Sequence, residues 1–289
     1  MTFKKCILFI YQLVKDLVMA EQHKLIYPIK HFRDFLENDI RLDGRSFDKY
    51  RPIGVNIESF QHSLGSSATK IGNSNILCGI RAELAKPRAS TPLAGYIVPN
   101  VDMSFTSFSK SAATSNNQNV AEILECFIYR ILNESHCLKL EDLCIHPGKL
   151  VWCLYIDIIG LEVDGGVFDA SILACASALS TLKLPKVTYD EKSGKIEIGE
   201  EMKELHLDIF PVVSTYSIFD NVVLVDPTYR EESISNAVFH LGVHEDTVGL
   251  FHKSGGVPIS VKEIQHSIKN AVKREQEISS LLRSLKSNK

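Results

Sequence analysis

The residues with the clearest chemical potential are a pair of glycines between two strongly patterned segments. Residues 150–163 are apolar at odd and even positions and rich in aromatic and β-branched side chains, which predicts a strand buried on both faces. Asp164, Gly165 and Gly166 then give a turn signal, and residues 170–182 carry small and apolar side chains at helical spacing. Because a helix start presents free N–H groups and a positive dipole end, this turn could bind a phosphate.

Other chemistry-bearing patterns in the sequence are weak. The histidines are scattered and show neither HExxH spacing nor the context of a catalytic triad, and no GxxxxGKS/T phosphate loop occurs. The 7 cysteines lack CxxC or Cys/His ligand spacing. Most of them lie in apolar runs, which is typical of small buried side chains in a reducing compartment. We therefore predict no cofactor, no metal site and no disulfide framework.

Length and composition limit the classes of protein to consider. The 289 residues suffice for one large domain or two modest ones, and 45% hydrophobic residues can form a sizeable core. A formal net charge of −3 gives no broad basic field, so any RNA contact must be local or shared with partners. No apolar run is long enough to predict a membrane span. Residues 1–24 are predicted to be an N-terminal extension outside the core.

The remaining pattern places strands and helices on either side of the glycine turn. Before it, we predict three strands, a long loop over 86–118 and a helix over 119–133. After it, hairpins are predicted around residues 189–198 and 212–225, followed by two strands over 237–252 and a long helix that begins near Ser260. Strand hairpins followed by a helix occur twice, which indicates an α+β fold built by internal duplication.

Several motifs occur in an order that resembles one known family. The chain is similar to the RNase PH-like family, and within it to the ring subunits of the eukaryotic RNA exosome that lack activity. The motifs that carry this resemblance are Arg41–Arg45, Lys70–Gly79, Gly95–Asp102, Glu141–Trp152, Asp164–Ala170 and Val225–Thr228.

The resemblance implies a fold and a domain organisation. It implies an α+β, RNase PH-like (ribosomal protein S5 domain 2-like) fold made of two duplicated βαβα-type units. The corresponding domain would span residues 25–289, with pseudo-repeats over about 45–205 and 206–289. Assembly into a six-membered ring that threads RNA is also implied.

The phosphate-binding arginines of the active family members are missing from this sequence. Active members cleave the RNA 3′ end with inorganic phosphate, and fixed guanidinium groups must bring one anion beside another. By the resemblance, one such arginine aligns with Phe168 and a second with Asn119. Asp169 is expected to be an anion at the helix start, where a phosphate would otherwise bind. The family's catalytic carboxylates align with Asp226 and Glu232, although a turn-forming role beside Pro227 is favoured for Asp226.

The sequence therefore predicts a non-catalytic structural ring subunit of the RNA exosome, not an enzyme. It would support 3′-to-5′ RNA processing and degradation, including rRNA maturation and mRNA turnover, by threading RNA to an associated nuclease. One alternative is an active phosphate-dependent 3′-to-5′ exoribonuclease whose site is shared with a neighbouring subunit. A second alternative is a single-stranded RNA-binding module outside any ring, which the neutral composition disfavours.

Partners, RNA contacts and location follow from the resemblance alone. The implied partners are other RNase PH-like ring subunits, S1/KH cap subunits, an associated hydrolytic nuclease and single-stranded RNA in the ring channel, with no membrane. Lys110 is the first candidate RNA contact, and Arg81 and Arg88 are further candidates. The implied location is the nucleus, the nucleolus and the cytoplasm.

Overall fold

The computed structural model describes residues 28–103, 114–135, 137–191, 194–205, 207 and 209–287. The predicted extension over residues 1–24 lies outside this part of the chain. Residues up to Lys49 form a unit of their own, which contains helix α1 (Pro28–Leu36) and a turn closed by a hydrogen bond from the Gly44 amide to the Arg41 carbonyl. All other elements belong to the unit from Tyr50 onward.

The first sheet of this larger unit holds the predicted central strand. Its strand order is β1-β2-β3-β6-β4, with β5 beside β6, and only β4 runs parallel to its neighbour. The strands are β1 (Ile53–Ile57), β2 (Gly65–Ile71), β3 (Ser74–Ala85), β4 (Tyr96–Asp102), β5 (Cys144–His146) and β6 (Leu150–Glu162).

The central strand β6 is buried on both faces only at its beginning. Leu150 to Leu154 are all buried, whereas Tyr155, Asp157 and Ile159 are half-exposed between buried neighbours. The prediction of a strand buried on both faces is thus right for the first five residues and wrong for the rest. Helices contact this sheet, and the alternation of buried with half-exposed residues indicates that its other face is open.

A second sheet and a small hairpin complete the fold. The second sheet has the order β10-β9-β11-β12, and the hairpin pairs β7 with β8. The strands are β7 (Lys183–Tyr189), β8 (Ile196–Glu204), β9 (Val212–Phe219), β10 (Val222–Val225), β11 (Ala237–His244) and β12 (Thr247–Lys253). The helices are α2 (Thr114–Glu134), α3 (Val167–Ser180), α4 (Tyr229–Ile234) and α5 (Val261–Ser287).

Helix α3 is the element on which both sheets pack. It contacts β2 and β3 of the first sheet and β9 of the second, and every residue from Asp169 to Ser180 is buried. Its small side chains allow this close approach, as the sequence predicted. The Ser67 hydroxyl donates to the Ala174 carbonyl at 2.8 Å, and a Cβ on Gly65 would lie 2.6 Å from the Ala178 carbonyl oxygen. The packing of α3 against both sheets therefore fixes the position of the turn before it.

Two elements differ from the sequence prediction. Strand β4 lies within residues 86–118, which the sequence predicted to be a loop. This edge strand was missed because Pro99, Asn100 and Asp102 interrupt its apolar pattern. Helix α4 follows Asp226 and Pro227, where only a turn was predicted. Its capping box joins Thr228 and Glu231 and stabilises a helix too short to show periodicity.

No helix in the described ranges combines the length and apolar character needed to span a membrane. The predicted boundary between pseudo-repeats, near residue 205, remains a prediction. The mixed α+β class is confirmed by the two sheets and their helices.

Candidate functional site

The backbone of the turn between β6 and α3 strongly favours glycine. Gly165 and Gly166 adopt φ values of 74° and 62°, in the left-handed region. A Cβ on Gly165 would lie 2.5 Å from the Pro227 carbonyl oxygen, and one on Gly166 would lie 2.6 Å from Arg51 Nη2. The predicted glycine turn is thus confirmed as the start of α3, and its close neighbours come from distant parts of the chain.

Arg51 crosses this turn and is neutralised there by Asp226. Both side chains are buried, and Arg51 Nη2 lies 2.5 Å from Asp226 Oδ1. The Arg51 backbone N–H donates to Asp226 Oδ2 at 2.7 Å, and its Nη1 donates to the Asp164 carbonyl at 2.5 Å. Asp226 itself adopts φ 49°, which fits its position at a tight strand end. Both carboxylate oxygens of Asp226 therefore accept hydrogen bonds from Arg51, and the guanidinium donates to acceptors of its own chain.

Glu232 covers the amide group that a phosphate would use. The Gly166 N–H donates to Glu232 Oε1 at 2.8 Å, and Glu232 lies on the short helix α4 beside the turn. Burial raises the pKa of Glu232 to about 7, although the hydrogen bond from the Gly166 N–H opposes this rise. An internal carboxylate thus lies at the start of α3, where the helix dipole attracts an anion.

Asp169 does not occupy the open end of the helix, contrary to the expectation from sequence. Its carboxylate is buried and accepts hydrogen bonds from the Thr215 N–H at 2.9 Å and the Thr215 hydroxyl at 2.5 Å. Burial, together with the charge of Asp226, raises its pKa to about 8. The expectation of an anion in the place of a phosphate is corrected, because helix packing turns this side chain toward β9.

Phe168 lies in a cluster of neutral rings. Its ring stacks on His240 with centroids 4.1 Å apart and meets the edge of Phe127 at 4.9 Å. Burial lowers the pKa of His240 to about 3, with a smaller contribution from His252, so the imidazole is neutral at physiological pH. His240 Nδ1 also lies 2.8 Å from the Thr215 hydroxyl. The residue at which the resemblance leads us to expect a family arginine is thus a neutral aromatic ring, held by ring packing.

The predicted site residues fall into two groups. Phe168, Asp169, Asp226 and Glu232 come together around the glycine turn. Asn119 lies in α2, whose described side chains begin at Val120.

The predicted RNA-contact residues lie outside this group. Lys110 lies outside the described residues. Arg81 is exposed on β3, where it contacts Asp157 at 2.7 Å and the face of Tyr155. Arg88 lies over the ring of Tyr96, 5.5 Å from its centroid.

Sequence reasoning missed three residues that shape the site: Arg51, Thr215 and His240. Arg51 precedes a proline at the start of a strand, and His240 interrupts an apolar strand, but neither pattern indicates a partner. In the ranges that the structure describes, no group of three His, Cys, Asp or Glu side chains is placed to hold a metal ion. The arrangement of these residues favours a closed, internally satisfied turn over an anion-binding one.

Replacing Gly166 with Ala should test how tightly the turn is held against Arg51. Both Gly166 and Gly194 have positive φ values, but a Cβ on Gly194 would meet no atom within 4 Å. Ala at Gly194 is expected to lower the free energy of unfolding by about 1 kcal/mol through backbone strain. Ala at Gly166 should lower it by about 2–4 kcal/mol, because the clash with Arg51 adds to the strain. Urea unfolding of both variants measures the difference, and equal losses would contradict the close packing of Arg51.

Comparison with protein families finds two successive matches that together cover most of the chain. Residues 49–185 match the family described as RNase PH, 3′ exoribonuclease family, domain 1. Residues 210–274 match domain 2 of the same family. The glycine turn lies within the first match, and Asp226 and Glu232 lie within the second.

Individual proteins show the same similarity. The chain is 31% identical to the exosome complex component Rrp42 of Pyrococcus furiosus over 258 residues, which cover 86% of this chain and 92% of that protein. It is 33% identical to the exosome complex component rrp43 of Schizosaccharomyces pombe, with 73% and 78% covered. Among solved structures, the Archaeoglobus fulgidus exosome with RNA bound to the active site matches with a TM-score of 0.78 at 24% identity, over 91% of this chain and 98% of that one. The structural match supports the fold.

Proposed function

Because this chain belongs to the RNase PH, or 3′ exoribonuclease, family, we propose that it is a non-catalytic ring subunit of an RNA exosome. The similarity to proteins named as exosome components covers most of both chains, so it concerns the whole body of the fold. In this role the chain completes the ring, contacts other RNase PH-like subunits and lines part of the path of a single-stranded RNA.

The absence of catalysis is supported above all by Glu232. Phosphorolysis needs a phosphate held beside an RNA phosphodiester, and both are anions. Here the Gly166 N–H is already occupied by the carboxylate of Glu232, and the guanidinium of Arg51 is neutralised by Asp226. Phe168 stands where the family carries an arginine. Losing one donor of a pre-organised anion site lowers a rate by roughly 10²–10³, so losing several leaves no useful turnover.

The proposed partners beyond the ring are S1/KH cap subunits and a hydrolytic nuclease that receives the RNA. The proposed locations are the nucleus, the nucleolus and the cytoplasm.

Among the candidate RNA contacts, Arg88 is stronger than Arg81. Both exposed guanidinium groups lie over a tyrosine ring, an arrangement that suits stacking with a base, but the charge of Arg81 is paired with Asp157. Lys110 remains a candidate.

The proposed inactivity predicts a negative result in a phosphorolysis assay. The chain alone, given 3′-labelled RNA and inorganic phosphate, is expected to release no nucleoside diphosphate under conditions in which an active RNase PH degrades the RNA. Phosphate-dependent release that stops in a folded Glu232→Gln variant would contradict inactivity. Native mass spectrometry of complexes containing the chain tests the ring separately: a multi-protein assembly is expected, and a free monomer would contradict it.

A further inference from the structure

The hairpin formed by β7 and β8 lies mostly outside the two stretches that match the family. Those stretches end at residue 185 and resume at residue 210, whereas the hairpin spans residues 183–204. All nine residues of β8 are exposed. The hairpin is therefore a surface feature that lies mostly outside the parts of the chain that match the family.

One face of the hairpin is apolar. Its β7 side chains are half-buried, with Val187 against the main core and Tyr189 against the ring of His146, whereas its β8 side chains are open to solvent. Val187 pairs with Ile198 and Tyr189 pairs with Ile196, so these four side chains project from the same face. Ile198 is 63% exposed and Ile196 is 44% exposed. A two-stranded hairpin is marginally stable by itself, and exposed apolar side chains with polar residues around them mark interaction sites.

A groove continues this apolar face toward the first sheet. Its volume is about 510 Å³, within the range of binding clefts. Its lining combines apolar residues, among them Ile145, Trp152, Val187 and Met202, with the charged residues Asp142, Lys186, Glu201 and Lys203. A groove of this volume and mixed lining can take both apolar and basic side chains from a bound segment.

The charges on β8 select the kind of segment that can lie there. β8 carries four glutamates and one lysine. Two glutamates are paired with lysines of β7, whereas Glu197 and Glu200 form no ion pair with any residue in the described ranges. A second copy of β8 would place glutamates opposite glutamates, which is unfavourable. A strand that alternates Lys or Arg with apolar residues would instead be attracted.

We propose that β8 binds an extended, basic and apolar segment of another exosome chain as an added strand. In the described part of the chain, β8 pairs only with β7, so its outer edge is free to form main-chain hydrogen bonds. Apolar side chains of the segment cover Ile196 and Ile198, its alternating Lys or Arg side chains lie beside Glu197 on the other face, and a flanking basic residue lies near Glu200. This inference rests on the proposed ring assembly and specifies one of its contacts.

Hydrogen exchange of the purified complex and of the isolated chain tests the added strand. Amide exchange over residues 196–204 should slow by about tenfold or more on assembly. Ile198→Glu should remove this protection, because a charge then faces the apolar segment. Thr188→Gln is the control, since Thr188 lies between Val187 and Tyr189 and so projects from the opposite face, and glutamine adds no charge beside its cross-strand partner Glu197.

Carbodiimide coupling identifies the segment. Coupling of Glu197 or Glu200 to a lysine within an alternating apolar and basic segment is the expected product. A complex that assembles with unchanged exchange over residues 196–204 would overturn the added strand and leave the ring intact. Coupling only to helical or acidic segments would also overturn it. Failure to assemble at all would contradict the ring proposal itself, and with it the added strand.

Discussion

Replacing Arg51 with Ala is expected to lower the free energy of unfolding by about 3–5 kcal/mol. Arg51 is buried and donates to the Asp226 carboxylate from its backbone N–H, Nε and Nη2. Without the guanidinium, the buried Asp226 carboxylate loses the charge of Arg51 and the Nε and Nη2 donors, and the Asp164 carbonyl loses the Nη1 donor. Urea or guanidinium unfolding followed by circular dichroism measures the loss as a lower midpoint.

Two comparisons identify the cause of that loss. Arg81→Ala removes the same side chain from an exposed pair with Asp157, and its effect should be much smaller because water screens that pair. The double replacement Arg51→Met with Asp226→Asn should be less destabilising than Arg51→Ala, since it removes both charges at once and asparagine tolerates the positive φ at position 226. If the double variant is as unstable as Arg51→Ala, packing and not the uncompensated charge holds the turn.

Local patterns predicted the elements around the site well. The Gly165–Gly166 turn, the small-residue helix after it and the strand before it are all set by neighbouring residues, so sequence periodicity was sufficient to identify them. Strand β4 was missed because its pairing with β6 depends on a partner more than 50 residues away, and its own residues include Pro99.

Contacts within the site were less predictable than the elements that carry it. Arg51 and Asp226 are separated by 175 positions, and no local pattern links them. The sequence could show that Phe168 is not an arginine, but it could not show that Glu232 reaches the Gly166 N–H. The ionisation of Asp169 was also beyond sequence reasoning, because it depends on burial against β9 and on the charge of Asp226.

The burial of Asp169 against β9 should make the protein less stable at alkaline pH. The pKa of Asp169 is raised from its ordinary value of 3.8 to about 8, so the folded state binds a proton that the unfolded state releases. The stabilisation is therefore fully present below the ordinary value and is lost as pH rises through about 8. Between about pH 6 and pH 9 this residue should lower the free energy of unfolding by about 2–3 kcal/mol.

Asp169→Asn should remove that part of the pH dependence. An asparagine can accept from the Thr215 N–H and donate to the Thr215 hydroxyl, so both contacts of Asp169 survive without a charge. Glu232, whose pKa is raised to about 7, weakens the fold in the same direction, but it does so in both proteins and cancels in their difference. The variant should therefore be more stable than the wild type at about pH 9, and the difference should shrink on acidification. A constant difference between the two unfolding curves would mean that Asp169 stays ionised, with Arg51 balancing its charge as well as that of Asp226.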